Sequence, residues 1–163
     1  MRFYCCIFLL LIGSVFVKAQ TFYSLEEAKK HPEKVEVLIL KKKKYKALPK
    51  EILAFENLRV LDLSRNKIQY LPEELTALSN LEELILNRND IRALPKEMGK
   101  MPKLRQLDLW SNYIDSLPDS FHGNTTLKLL DMRGIVVTSD KQAAIRQMLP
   151  NTEILFSKSC NCH

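Results

Sequence analysis

Three consecutive stretches of 23 residues, 58–80, 81–103 and 104–126, share one pattern. LRVLDLSRNKIQYLPEELTALSN is followed by LEELILNRNDIRALPKEMGKMPK and then by LRQLDLWSNYIDSLPDSFHGNTT. Each reads L-x-x-L-x-L-x-x-N-x-I-x-x-L-P, with a looser apolar tail. Self-similarity at this period predicts a solenoid. Strand side chains alternate, so Leu58, Leu61 and Leu63 are expected on the core side of a short strand and Val60, Asp62 and Ser64 on the other. Ile68, Leu71, Leu75 and Leu78 bring the chain back around the same core. A single coil leaves both ends of its core bare, so about three or more units must stack.

The pattern extends weakly in both directions. Val35, Leu38, Leu40, Tyr45, Leu48-Pro49, Ile52 and Phe55 fall in phase, with Lys43 in the asparagine position. Leu127, Leu130 and Met132 open a further unit, in which Ile135 takes the place of asparagine and no Leu-Pro follows. Ahead of the array, Ser24 with Glu27 predicts a capping box on a short helix ended by Pro32. Beyond it, Lys141 to Met148 reads as a helix and Thr152 to Phe156 as a last strand. The expected division is a signal peptide at 1–19, an N-terminal cap at 20–34, repeats at 35–138 with units starting at 35, 58, 81, 104 and 127, and a C-terminal cap at 139–163.

These units resemble leucine-rich repeats. The resemblance implies an α/β fold: a right-handed leucine-rich-repeat solenoid, with a parallel concave β-sheet and short helical or 3-10 turns on the convex side. Prolines of the Leu-Pro pairs are expected at the first position of those turns, where a missing N–H is harmless. Asn66, Asn89 and Asn112 share one phase, at the point where the chain leaves the strand. A side-chain amide has the donors and the acceptor to satisfy the backbone groups freed there, and the resemblance implies a structural ladder of these three residues. The 23-residue Leu-Pro form is similar to the repeats of the Ras-associated intracellular family and to many bacterial secreted repeats. The ending Leu149 to Phe156 is similar to the end of small secreted bacterial repeat proteins.

The start of the chain favours export. Arg2, the apolar run Ile7 to Val17 and the small-residue site before Gln20 form a secretory signal pattern. The run is too short to span a bilayer, which takes about 20 apolar residues. Cleavage near Ala19-Gln20 predicts a secreted or periplasmic protein. It also removes two of the 25 basic residues and none of the 19 acidic ones, leaving a mild excess of +4. Nucleic-acid binders show a stronger basic footprint, so no such partner is expected. The remaining Cys160 and Cys162 are suited to linking copies by disulfides, and no metal site or cofactor is expected.

The outward strand positions fall into columns. Glu36, Arg59, Glu82, Arg105 and Lys128 form a self-neutralising series. Asp62, Asp108 and Asp131 share a second column; Asn87 and Trp110 share a third. Arg65 and Arg88 meet as like charges in a fourth. Trp110, the single tryptophan, beside Asp108 and Arg88 has the composition of a binding hot spot. The partner-binding residues expected on the concave face are therefore Trp110, Asp108, Arg88, Arg65, Asp62 and Asn87. The run Lys41 to Lys44, with Lys46, reads either as a guarded sheet edge or as a patch for an anionic ligand or membrane surface. No nucleophile and base fall together, so no catalytic residue and no enzyme activity are expected. Asn124-Thr125-Thr126 matches the glycosylation pattern. The function expected is non-covalent binding of a protein partner. The alternatives are an assembly protein linked through Cys160 or Cys162, and an intracellular signalling adaptor if the signal is retained.

Overall fold

The computed structural model describes residues 20–157. Residues 1–19, expected as a signal peptide, and the tail with Cys160, Cys162 and His163 lie outside the described residues. Seven strands follow one another: β1 (Thr21–Phe22), β2 (Val37–Ile39), β3 (Val60–Asp62), β4 (Glu83–Ile85), β5 (Gln106–Asp108), β6 (Leu129–Met132) and β7 (Glu153–Phe156). They make a single sheet in chain order, every pair parallel. From β2 to β6 each pairing advances by one unit, so Leu38, Leu61, Leu84, Leu107 and Leu130 lie side by side. All five are fully buried.

Strands this short cannot hold by backbone propensity. Each fully buried leucine contributes about 1.5–3 kcal/mol relative to an exposed one, and the inward leucines recur in every unit. Leu58, Leu81, Leu104 and Leu127 enter the core before each strand, and Ile68, Ile91 and Ile114 after it. Phe55 and Phe121, fully buried, fill the return path of the first and fourth units.

The return path is a series of 3-10 turns at Lys50–Ala54, Glu73–Ala77, Met98–Lys100 and Asp119–Phe121. The prolines sit differently from the sequence expectation. Pro49, Pro72 and Pro118 stand just before the turn, with extended ψ of 127°, 151° and 152°. Their role is as acceptors: the carbonyls of Pro49, Pro72, Pro95 and Pro118 take the N–H of Ile52, Leu75, Met98 and Phe121. A fixed φ places that carbonyl before the turn closes.

At the strand exits the chain turns through the left-handed region. Lys42, Arg65, Arg88, Ser111 and Gly134 occupy the same phase with φ of 60°, 57°, 55°, 56° and 68°. The next residue in three of these turns is the asparagine. Asn66, Asn89 and Asn112 are 7%, 5% and 5% exposed. Asn89 donates to the carbonyls of Leu63 at 3.0 Å and Leu86 at 2.8 Å, and its Oδ1 accepts the Ile68 N–H at 3.0 Å. Asn66 makes the same set with Leu40, Leu63 and Tyr45, and Asn112 with Leu86, Leu109 and Ile91.

The ends depart from the repeat. β1 was not expected; it pairs with β2 through Thr21↔Val37 and Phe22↔Leu38. The first helix, α1 (Leu25–Ala28), follows Ser24, but the hydroxyl makes no capping bond. It stops before Pro32, which opens a 3-10 turn of its own. The second helix, α2 (Ser139–Met148), contributes Ile145 to the core and leads to β7, which contributes Ile154. No helix among the described residues is long and apolar enough to cross a membrane.

Candidate functional site on the outer face of the sheet

The outer face carries two side chains from each three-residue strand, in register with its neighbours. One row runs Val37, Val60, Glu83, Gln106 and Leu129; the next runs Ile39, Asp62, Ile85, Asp108 and Asp131. Beyond the strand ends follow Lys41, Ser64, Asn87, Trp110 and Arg133.

The aspartates of the second row have a local task. Asp62 Oδ1 accepts the N–H of Ser64 at 2.9 Å, Asp108 Oδ1 that of Trp110 at 3.0 Å, and Asp131 Oδ1 that of Arg133 at 3.0 Å. Each closes the turn that leads into the left-handed residue, where the ladder no longer supplies a partner. Asp62 therefore differs from its expected role. It is only 8% exposed, and the Lys41 ammonium stands 3.6 Å from its other oxygen. Asp131 is buried likewise and paired with the Arg133 guanidinium at 2.6 Å, which holds the arginine above its ordinary pKa.

Asp108 is half-buried and enters no ion pair among the described residues. Its Oδ2 accepts a hydrogen bond from Asn87 Nδ2 at 2.5 Å. Burial raises its pKa; the bonds from Asn87 and the Trp110 N–H oppose the rise, and the neighbouring Asp131 charge adds to it.

Trp110 is half-buried at the edge of this face. The Arg88 guanidinium lies over its ring, 4.5 Å from the centroid. Gly134 backs the ring from the next unit: a Cβ there would fall 2.9 Å from Nε1 and 3.0 Å from Cδ1. Of the six residues expected at a partner surface, the structure thus gathers four, Trp110, Arg88, Asp108 and Asn87, across β4 and β5. Asp62 is covered. Arg65 is exposed at its turn and, among the described residues, makes no ion pair.

Lys41 and Arg133 fall in the same outward column as Asn87 and Trp110, as their phase predicts; Gly134 went unnoticed as part of this face. Phase alone could have found the glycine, since it stands where Arg88 and Ser111 stand in their units. At the strand entries, Arg59 bridges Glu36 at 3.6 Å and Glu82 at 2.9 Å. These bonds raise the arginine pKa and lower that of Glu82. Asn124 of the glycosylation pattern donates its amide to the Gly99 carbonyl at 2.6 Å, while its Oδ1 accepts the N–H of Thr126 and Leu127. The nitrogen that glycosylation would need is engaged. Among the described residues no group of three or more His, Cys, Asp or Glu could hold a metal ion.

The fold has known counterparts. A family model described as a leucine-rich repeat region matches residues 34–111, and a second, for the leucine-rich repeat itself, matches 103–124. No curated protein matches the sequence. Among solved structures the chain is similar to a leucine-rich-repeat protein of Leptospira interrogans, at 22% identity and a TM-score of 0.51, over 85% of this chain and 46% of that one. It is similar to the ectodomain of the Arabidopsis thaliana receptor kinase GASSHO1/SCHENGEN3, solved in complex with Casparian strip integrity factor 2. The identity there is 21% and the TM-score 0.58, over 84% of this chain and 17% of that one. It is similar also to a pollen receptor kinase 3, at 18% identity and a TM-score of 0.62, over 82% and 65% of the two chains. The chain spans less than two thirds of the length of each of these structures. Matched units from 34 to 124, a parallel strand in every unit and an asparagine bonding each of three units to the one before it lead to one conclusion: the chain belongs to the leucine-rich-repeat proteins.

Proposed function

We propose that the chain is an exported binding module that docks a protein partner on the outer face of its sheet, the concave face of such a solenoid. The observation that carries this reading is the Trp110 platform. An aromatic ring is backed by Gly134 and faced by Arg88, with Asp108 and Asn87 on the neighbouring strand ends. Aromatic and arginine side chains dominate binding energy at protein interfaces. Groups already fixed by the sheet lose little freedom on association. The complex formed by the GASSHO1/SCHENGEN3 ectodomain is a precedent for partner binding on this architecture. In this reading, residues 20–34 and 139–163 close the two ends of the core, and the first nineteen residues direct export.

The test begins with an unbiased pull-down using the chain as bait. Trp110→Ala is then compared with the parent by calorimetry against the captured partner. A loss of about 2 kcal/mol or more is expected, in the range of interface hot spots. Glu74→Ala, on the return path, should leave affinity unchanged. Equal affinities for parent and Trp110→Ala would move the site off this face. Sequencing the N-terminus of the exported product should give a start near Gln20; an intact Met1 in the cytosol would overturn export.

A further inference from the structure

The cations of this chain are not spread evenly. The strand-exit turns of the first three units are residues 42–46, 65–69 and 88–92, and every second position in them points to solvent. The left-handed position holds Lys42, Arg65 and Arg88. Two residues on stand Lys44 and Lys67, and two further Lys46 and Arg92. Lys43, in the place of the ladder asparagine, is also exposed. These windows hold eight cations and a single anion, the half-buried Asp90. Their excess of seven is larger than the +6 of the whole chain, so the rest of the molecule nets −1. Among the described residues none of the eight enters an ion pair.

The guarded-edge reading does not explain this. The sheet edge is β1, and the lysine run lies past the end of β2, in the turn. Lys41 alone has a local duty, beside Asp62. The corresponding turns of the next two units, 111–115 and 134–138, carry no cation at all.

We propose that this flank is a docking surface for an anionic lipid bilayer. The cations form a grid: across units at strand spacing, about 4.8 Å, and along the chain at alternate residues. A linear polyanion would meet one line of such a grid, whereas a plane of anionic headgroups meets all of it. Five of the eight are lysines, compact hydrated charges that suit a diffuse field better than a fixed fork. Two of the arginines lie over aromatic rings, Arg88 on Trp110 and Arg92 on Tyr113. Tyr70 and Tyr113, 68% and 66% exposed, border the grid, and tyrosine is enriched where bilayer meets water. Basic residues near an anionic membrane surface each add to the attraction, and clusters of about four to eight of them are a recognised feature of anionic-lipid binding. The flank meets the Trp110–Asp108 platform at Arg88, and its other seven cations lie outside that platform.

The experiment is sedimentation of the full chain with vesicles of phosphatidylcholine alone and of phosphatidylcholine with phosphatidylglycerol. The apolar run at 7–17 would act on either vesicle, so the readout is the ratio of the two partition coefficients. The ratio should favour anionic vesicles by at least about tenfold in 0.1 M salt and collapse towards one near 1 M, where the screening length falls from about 10 Å to about 3 Å. The triple variant Lys43→Glu, Lys46→Glu, Lys67→Glu should lose that preference. Lys100→Glu, Lys103→Glu, Arg105→Glu, with the same change in net charge elsewhere, should keep most of it. Equal losses in the two variants would overturn the proposal, because net charge and not the flank would then decide. Flank-dependent binding to soluble polyglutamate or duplex DNA without any preference for anionic vesicles would also overturn it. Circular dichroism on both variants establishes that each is folded.

Discussion

Asn89 illustrates what a single side chain does in this fold. Its amide satisfies two carbonyls and one N–H that no strand partner reaches. Asn89→Ala should cost about 1–3 kcal/mol, the penalty of stranding buried polar groups. Thermal melts that overlay those of the parent would refute this. Asn66 and Asn112 make the same set of bonds, so similar costs are expected for all three. Asp108 has the opposite character. Its carboxyl is held above the ordinary value, mainly by burial, so the folded protein takes up this proton more readily than the unfolded chain. Between the ordinary carboxylate value and the raised one, stability contributed by this group therefore rises as pH falls. Above that window the charged form is a net cost. Asp108→Asn should be more stable than the parent at neutral pH, with an advantage that shrinks as pH drops through the window; a difference constant with pH would exclude the idea. The asparagine phase was readable from spacing. The turn-closing bonds of the aspartates were not, because an outward aspartate on a strand has the same pattern whether it faces solvent or bends back to its own backbone.

The elements were legible to different degrees. β3, β4 and β5 follow directly from the apolar period, as do the 3-10 turns after each Leu-Pro pair. β1 did not, since two residues carry no period. The left-handed column was also hidden, because three of its five residues are lysine or arginine and only Gly134 has the residue type that turn favours. On the return path one position admits no side chain. A Cβ on Gly99 would lie 2.4 Å from the backbone of Ser120 and Phe121, and its N–H already reaches Ser120 Oγ at 3.0 Å. Backbone cannot swing aside as a side-chain tip can. Gly99→Ala should therefore destabilise by about 1–3 kcal/mol, the usual cost of overpacking, and chemical denaturation would measure it. No change in the midpoint would mean that the two turns are further apart than described.

For the molecule as a whole, neighbours matter more than distant contacts, as in any stack of units. β6 is covered by β7, and the core of the fifth unit by Ile145, Leu149 and Ile154. Removing residues 139–163 should expose Leu127, Leu130 and Met132 and lead to aggregation or a loss of cooperative unfolding, read by light scattering and thermal melts. A soluble truncation with an unchanged melt would show that this end does not cover the core. The asparagine bonds add a direction to the stack. Asn66 reaches back to Leu40 and Tyr45, Asn89 to Leu63 and Ile68, and Asn112 to Leu86 and Ile91. Beyond its own unit, each binds only residues that precede it. A chain made from its N-terminus therefore always has the partners of its newest asparagine already in place. Assembly can follow synthesis unit by unit, and the ladder never has to wait for a residue not yet made.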